Sequence, residues 1–316
     1  MLPIVYHPDY LAPLRQGHRF PMSKYGYLRD ILVDRGLLPA VGGYLAPAPA
    51  GRSQLSAVHP IDYVERVLEA RLTREEARRI GLPSTPRVAR RAQLASAGTL
   101  LAARLALEHG IACNLAGGSH HAGPEGGAGF CVFNDVSVAA RALLDEGVVR
   151  RILVVDLDVH QGDGTAETFA AEEAVFTLSL HAARNYPARK AVSDLDVALP
   201  DGMEDDAYLA ALDDALARAI EAARPEIVFY NAGVDPHRAD RLGRLALSDG
   251  GLRARDARVF AACRARALPV VGVLGGGYGK APYEVSLRHA LMVEEAARSA
   301  DATAPAVRRS GGQSAP

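Results

Sequence analysis

Short uninterrupted apolar runs alternate along the chain with longer stretches in which apolar residues recur every three or four positions. The apolar runs fall at 4–6, 111–115, 152–155, 175–180, 227–230 and 270–274. The stretches with helical periodicity fall at 135–146, 205–223, 253–267 and 283–298. Short apolar runs are typical of strands buried on both faces, and strands separated by helices indicate βαβ units. The pattern predicts an α/β fold, with a mostly parallel central sheet covered by helices on both faces.

The segment between the first two strands carries helix signals. Thr73 and Glu76 have the spacing of a capping box, which opens a helix that ends at Gly81. Pro86 is the first residue of a long helix that continues to 109, and shorter helices are predicted at 27–35 and 62–70. The irregular segment 18–25 is rich in rings and hydrogen-bonding groups, which is typical of the rim of a site.

Neither a repeat nor a linker divides the chain of 316 residues. We therefore expect one catalytic domain over 1–298 and a disordered tail of small polar residues over 299–316. The Arg-rich stretch 89–91 is interpreted as a solvated helix face. His59, His181 and the thiol of Cys131 are interpreted as structural.

The run 152–155 ends in alternating polar residues, and the chain is organised around this stretch. Asp156, Asp158 and His160 alternate with Leu157 and Val159. Side chains two positions apart on an extended chain point the same way, so the three polar groups converge. In open parallel sheets, ligands bind at the carboxyl ends of the strands. A carboxylate and an imidazole there indicate half of a metal site; the alternative is a polar strand end that caps the next helix.

Polar residues follow three other predicted strands as well. They lie at 117–123 after the strand 111–115, at 231–235 after 227–230, and at 275–279 after 270–274. One such set alone is weak evidence for an active site, because a histidine after a strand is more often structural than catalytic. Four sets at the same edge of one sheet indicate an active site.

Three of these residues are suited to holding a catalytic metal. Asp158, His160 and Asp235 are two carboxylates and an imidazole, which leave positions open for water and substrate. We expect about one zinc ion per chain, with iron(II) as the alternative because two of the ligands are oxygen.

The remaining polar residues are suited to proton transfer. His120 and His121 are candidates for a base near the metal, with Asp156 and Asp163 orienting their rings. Tyr278 offers a neutral donor to an oxygen that gains negative charge. The residues together indicate metal-assisted hydrolysis of a carbonyl compound.

Composition limits the partners of this chemistry. A formal net charge of −1 gives no electrostatic argument for nucleic acid or an anionic membrane. No apolar run reaches the ~18 residues of a membrane span, and the start lacks the pattern of a signal peptide. The three cysteines form no Cys-x-x-Cys pair, which is typical of a reducing compartment. We expect a cytoplasmic protein; the oligomeric state is open.

Five motifs, in order, resemble the zinc-dependent histone deacetylase family. They are Gly-Gly-Ser-His-His-Ala at 117–122, Gly-Phe-Cys-Val-Phe-Asn-Asp at 129–135, Asp-Leu-Asp-Val-His-Gln-Gly-Asp-Gly at 156–164, Asn-Ala-Gly-Val-Asp at 231–235 and Gly-Gly-Gly-Tyr at 275–278. The resemblance extends from the first strand to about residue 298. Within the family the chain looks most like class IV, because of His-Gln-Gly at 160–162, Tyr-Pro at 186–187 and Asp-Arg-Leu-Gly at 240–243.

The resemblance implies the arginase/deacetylase fold, with a tunnel that leads to zinc. It assigns the zinc ligands to Asp158, His160 and Asp235. The catalytic residues that it implies are His120, His121, Tyr278, Asp156 and Asp163. The substrate-binding residues that it implies are Gly129, Phe130, Tyr186, Gly276 and Ser119. A structural monovalent cation, K⁺, is implied at Asp156, Asp158, His160, Ser179 and Leu180.

The reaction implied is hydrolysis of an acyl-lysine amide in a peptide or protein by zinc-activated water. His121 would take the proton of the water and return it to the leaving amine, and Tyr278 would stabilise the oxyanion. An acetylpolyamine or another acylated small amine is the alternative substrate. An arginase-type manganese hydrolase would need further carboxylates where His120 and His121 stand. A non-catalytic acyl-lysine binder would not need the base or Tyr278.

Two departures from the family bear on the substrate. The loop 82–87 carries Ser84 and Thr85 but no acid, whereas class I relatives have a rim aspartate that holds the peptide backbone. Ser119 stands where many relatives have a large apolar residue at the floor of the site. We therefore expect acyl chains longer than acetyl to be accepted, unless neighbouring residues fill that space.

Overall fold

Seven parallel strands form the centre of the molecule in the computed structural model, which describes residues 2–301. In chain order the strands β1 to β7 are Ile4–Val5, Ile111–Asn114, Ile152–Asp156, Val175–Ala182, Leu195–Leu199, Ile227–Asn231 and Val270–Val273. They lie side by side in the order β1-β2-β7-β6-β3-β4-β5, and every neighbouring pair is parallel. The predicted α/β fold with a parallel sheet is confirmed.

Helices precede, connect and follow the strands. The helices α1 to α10 are Lys24–Asp34, Arg52–Ser56, Ile61–Leu68, Arg74–Ile80, Pro86–His109, Asp135–Asp145, Asp163–Phe169, Asp205–Ala223, Asp249–Arg264 and Pro282–Asp301. The capping box predicted at Thr73 is present, with the Thr73 hydroxyl accepting from the Glu76 N–H. Thr85 caps α5 in the same way, ahead of Pro86. None of the helices within residues 2–301 is long and apolar enough to cross a bilayer.

Alternate residues of the central strand pack into two apolar clusters. Val154 of β3 packs with Leu100 of α5 and Leu143 of α6. Its neighbours Leu153 and Val155 pack in the other cluster, which includes apolar side chains of α1, α8, α9 and α10. Because both faces of β3 are covered, the strand is apolar throughout until Asp156, where it reaches the edge of the sheet.

The structure contains elements that the apolar pattern does not predict. The edge strand β5 has alternating exposure and several polar residues, so it lacks the continuous run that marks the buried strands. Helices α2 and α7 have five and seven residues, too few for a clear helical period.

Two expectations are wrong in part. Helix α10 continues to Asp301, because Ala296 and Ser299 extend its buried face, so 299–301 is helical; residues 302–316 lie outside the described residues. In the stretch 89–91 only Arg90 is exposed. Arg91 is buried, where its guanidinium donates to the Tyr10 carbonyl (3.1 Å) and the Tyr25 hydroxyl (2.5 Å) and lies over the Tyr25 ring.

Candidate active site

The four polar sets predicted from the sequence meet at one edge of the sheet. They follow β2, β7, β6 and β3, which are consecutive in the strand order. The carboxyl ends of parallel strands lie at the same edge, so the loops that follow these strands are neighbours. Their polar side chains surround the floor of one cavity.

The first group at this floor is Asp158, His160 and Asp235. Each can offer one ligand atom so that the three atoms lie within 4.8 Å of one another, and all three residues are buried. His160 Nδ1 lies 3.0 Å from Asp158 Oδ1 and 3.1 Å from Asp235 Oδ2. The sequence prediction that these residues converge is confirmed.

Backbone groups from neighbouring loops hold the two carboxylates. The Gly276 N–H donates to Asp158 Oδ2 at 2.7 Å, and the Val159 N–H donates to Asp235 Oδ1 at 2.9 Å. A Cβ atom on Gly276 would collide with both carboxylates, so glycine is required there. The N–H of Gly276 therefore supports Asp158, while its substrate role stays a prediction.

A buried arginine joins the two loops that carry these residues. Arg255 of α9 donates to the carbonyl of Leu157 at 3.3 Å and to the carbonyl of Gly233 at 2.5 Å. It is fully buried and pairs with Asp256, which accepts a hydrogen bond from the Tyr230 hydroxyl. Sequence reasoning missed Arg255, because nothing in an arginine-rich helix marks which guanidinium faces inward.

The donor set fits a transition metal. Two carboxylates and one imidazole converge in a buried site, where like charges on the carboxylates repel one another unless a cation lies between them. Burial lowers the pKa of His160, but hydrogen bonds with Asp158 and Asp235 outweigh burial and raise that pKa to about 10. Burial and the charge of Asp158 raise the pKa of Asp235. Zinc accepts this combination of nitrogen and oxygen ligands.

His120 and His121 lie beside this group in different electrostatic environments. His120 Nδ1 lies 2.6 Å from Asp156 Oδ2, and His121 Nδ1 lies 2.6 Å from Asp163 Oδ1. Burial lowers the pKa of His120, but Asp156 and the neighbouring carboxylates raise it to about 9. Burial and the charge of His120 lower the pKa of His121 to about 4 despite its bond with Asp163. Paired groups whose pKa values are driven apart are typical of acid–base sites.

A cavity of about 330 Å³ leads from the surface to His121 and His160. Phe130 and Tyr186 stand at its walls, with the Tyr186 ring perpendicular to that of His121 at 4.8 Å between centroids. Gly129, which precedes Phe130 in the chain, has a φ of 54°, and a Cβ atom there would collide with the His121 ring. Phe130 itself has a φ of 69° and is held by its N–H, which donates to the Ile80 carbonyl at 2.7 Å.

Tyr278 lies between the group Asp158, His160 and Asp235 and the cavity wall. Its ring centroid is 6.1 Å from that of His160 and 5.8 Å from that of Phe130. The Tyr278 N–H donates to Asp240 at 2.6 Å, a contact that sequence reasoning missed. Burial and the charges of Asp158 and Asp235 raise the pKa of Tyr278, so its hydroxyl stays a proton donor at neutral pH.

Ser119 lies at the inner end of the site. Its N–H donates to the buried carboxylate of Asp135 at 2.8 Å, which also accepts from Thr99 and thereby holds the histidine loop. A cavity of about 20 Å³ separates Ser119 from Arg91. This volume is enough for about one water molecule, so neighbouring side chains fill most of the space beside Ser119.

The residues expected at the monovalent cation site lie at the end of β3, in the loop that follows it, and in the second half of β4. Asp156 is opposite Ser179 in the register of these strands. Leu180 follows Ser179 on β4, and the Ser179 hydroxyl lies 3.0 Å from His181 Nδ1. The structure brings these residues next to the buried loop that carries Asp158 and His160.

Comparisons with known proteins agree with this geometry. The family model of the histone deacetylase domain matches residues 18–293 of this chain. An uncharacterized protein of Picosynechococcus sp. is 47% identical over 290 residues, covering 92% of this chain and 96% of its own. Histone deacetylase 2 of Arabidopsis thaliana is 33% identical over 296 residues, covering 89% of this chain and 76% of its own.

The fold also matches a solved structure. The acetylpolyamine aminohydrolase of Burkholderia pseudomallei has a TM-score of 0.74 and 21% identity, covering 93% of this chain and 98% of that one. This likeness supports the fold of the arginase/deacetylase class. The chain belongs to the histone deacetylase family, and its membership indicates an enzyme of the deacetylase and amidohydrolase type.

Proposed function

We propose that the protein is a zinc-dependent lysine deacylase, which hydrolyses the amide bond of acyl-lysine in a peptide or protein. The observation that carries the proposal is the position of His121 beside the group Asp158, His160 and Asp235, at the inner end of the 330 Å³ cavity. The His121 and His160 ring centroids are 5.7 Å apart. A binding module would need neither a base nor a metal at that point.

Asp158, His160 and Asp235 would hold the metal. When bound, zinc would act as a Lewis acid toward the acyl carbonyl and the attacking water. A structural K⁺ ion is proposed at Asp156, Asp158, His160, Ser179 and Leu180, where the end of β3 pairs with Ser179 of β4.

The other residues of the chain would position the substrate and move protons. His121 uses Nδ1 to bond Asp163, so its Nε2 is available to accept a proton from the attacking water and to return it to the leaving amine. His120, held by Asp156, contributes to the field around the reacting groups. The Tyr278 hydroxyl donates to the carbonyl oxygen as that atom gains negative charge. Phe130 and Tyr186 flank the methylene chain of the lysine.

The test combines metal analysis with a substrate panel. We expect about one zinc per purified chain, hydrolysis of acetyl-lysine peptides, loss of activity with a chelator and recovery with added zinc. The Asp235→Ala variant should lose metal and activity. The matched control is Asp214→Ala on the exposed face of α8, where loss of a surface ion pair costs at most about 1 kcal/mol.

Three results would contradict the proposal. Two transition-metal ions per chain would favour an arginase-type centre. Retention of metal and activity in Asp235→Ala would exclude this site. Hydrolysis of N-acetylspermidine together with no hydrolysis of any lysine peptide would favour the small-amine alternative.

A further inference from the structure

Three cavities adjoin at the mouth of the site. The 330 Å³ cavity that reaches His121 shares Arg19, Arg78 and Phe130 with a second cavity of about 540 Å³. The second shares Arg15 and Arg19 with a third of about 500 Å³. A continuous groove therefore leads away from the tunnel, along the irregular segment before α1. Such a groove can hold the residues of a substrate peptide that lie on one side of its acylated lysine.

The lining of this groove is positively charged. It includes Arg15, Arg19, Arg78, Arg79 and, at its far end, Arg241 and Lys280, and no Asp or Glu of the described residues lines any of the three cavities. The four arginines closest to the tunnel are exposed. Glu125 and Glu167, whose charges act on one another, lie outside the lining.

These arginines differ from most others in the protein. Arg15, Arg19 and Arg78 form no side-chain hydrogen bond or ion pair with any residue in 2–301, and Arg79 bonds the Gly127 carbonyl alone. Elsewhere arginines are commonly paired, as Arg66 is with Asp62 and Glu76. A position in the last turn of α4 suits the positive charges of Arg78 and Arg79. It does not account for Arg15 and Arg19, which lie outside any helix.

We propose that the preferred substrates are acyl-lysine segments with acidic side chains next to the acylated lysine, an inference that rests on the proposed function. Guanidinium groups bind carboxylates through paired hydrogen bonds, and unpaired arginines at the groove lose no internal partner when they do so. A peptide rich in lysine and a cationic polyamine are repelled by the same groups. The net charge of −1 makes this a local property of the groove.

The test uses three acetyl-lysine peptides of equal length, with two glutamates, two glutamines or two lysines beside the acetyl-lysine. We expect kcat/KM for the glutamate peptide to exceed that for the glutamine peptide about tenfold at low ionic strength, mainly through KM, with the lysine peptide slowest. The preference should shrink to about twofold in about 0.5 M salt, because the pairs are exposed to solvent.

Charge-removing variants locate the effect. In Arg19→Gln/Arg78→Gln the ratio of kcat/KM between the glutamate and glutamine peptides should fall to about 1. The matched control is Arg151→Gln/Arg264→Gln. Arg151 precedes β3 and Arg264 ends the helix before β7, so both lie at the edge of the sheet opposite the site. The control should keep the full ratio.

The outcomes separate this inference from the proposed function. Hydrolysis of the glutamine peptide without a gain from glutamate overturns the charge preference and leaves the proposed function standing. The same holds if the Arg151→Gln/Arg264→Gln control loses the ratio as much as the groove variant does. If no lysine peptide is hydrolysed, both fail.

Discussion

At the floor of the site Asp158 and Asp235 each accept a backbone N–H from a different loop, whereas at the mouth Arg15, Arg19 and Arg78 have no partner among the described residues. The floor is buried, and the mouth is exposed. Charged side chains are thus held in opposite ways at the two ends of the site. At the floor a backbone N–H of the protein fixes each carboxylate in place, and at the mouth the guanidinium groups remain available to a ligand.

The difference separates two functions. Groups that act on a transition state are most effective when their positions are fixed before the substrate arrives. Groups that select among substrates need to exchange water for a ligand, which exposed side chains do at little cost. We therefore expect changes at the floor to alter kcat or stability, and changes at the mouth to alter KM and its dependence on salt.

The sharpest way to break the floor is to remove Arg255. Arg255→Met leaves Asp256 buried without its cation and frees the Leu157 and Gly233 carbonyls, so the free energy of unfolding should fall by about 3–5 kcal/mol. Urea unfolding measures the loss. The control is Arg258→Met on the same helix, whose exposed pair with Asp213 is worth at most about 1 kcal/mol. Equal stability of the two variants would mean that the buried network does not hold the loops.

A smaller change tests the chemistry of the floor and leaves the fold of the protein intact. Tyr278→Phe removes one hydroxyl and keeps the ring that packs against Phe130 and Phe20. We expect kcat to fall by about 10²–10³-fold, since an oxyanion donor is lost. KM and metal content should stay near their original values, in contrast to the arginine variants of the groove.

One result of the Tyr278→Phe experiment would contradict this prediction. Near-normal kcat with an unchanged pH profile would mean that Tyr278 only packs against the wall. His121→Ala serves as the companion variant, because it removes the base beside His160 and should reduce kcat at least as far.

The floor could be predicted from the sequence because its residues follow strands directly. Asp156 ends β3, and Asp158 and His160 follow directly in the loop at its carboxyl end, so their place at this edge of the sheet follows from the sequence. The extended alternation expected over 156–160 is wrong beyond Asp156, because the chain bends over 158–160, where the His160 N–H donates to Asp158 Oδ1. Asp235 joins them because β6 pairs with β3. Ordered motifs that resemble a family added the roles of these residues.

The arginines of the mouth, and the buried arginines that hold the loops of the site, could not be predicted in the same way. Arg19 lies in an irregular segment and Arg78 in the last turn of a short helix, and both line the same cavity. Neither segment has a repeating apolar pattern from which the direction of its side chains could be predicted. Arg91 and Arg255 lie on helices with several arginines, where only packing decides which guanidinium is buried. The edge strand β5 alternates in exposure and resembles a loop.

The smallest effect concerns Ser119, which lies at the floor but borders a space that the protein leaves partly empty. The cavity of about 20 Å³ admits about one further group, so the gain over acetyl should be limited to about one methylene, ~0.8 kcal/mol or about fourfold in kcat/KM for propionyl-lysine. Ser119→Leu should abolish this gain, and Ser119→Ala, which keeps the volume free, should retain it. Comparing acetyl-, propionyl- and hexanoyl-lysine peptides measures the limit. A further rise at hexanoyl would require Arg91 to move from its bonds with Tyr10 and Tyr25, and a steep fall already at propionyl would show that the floor is closed.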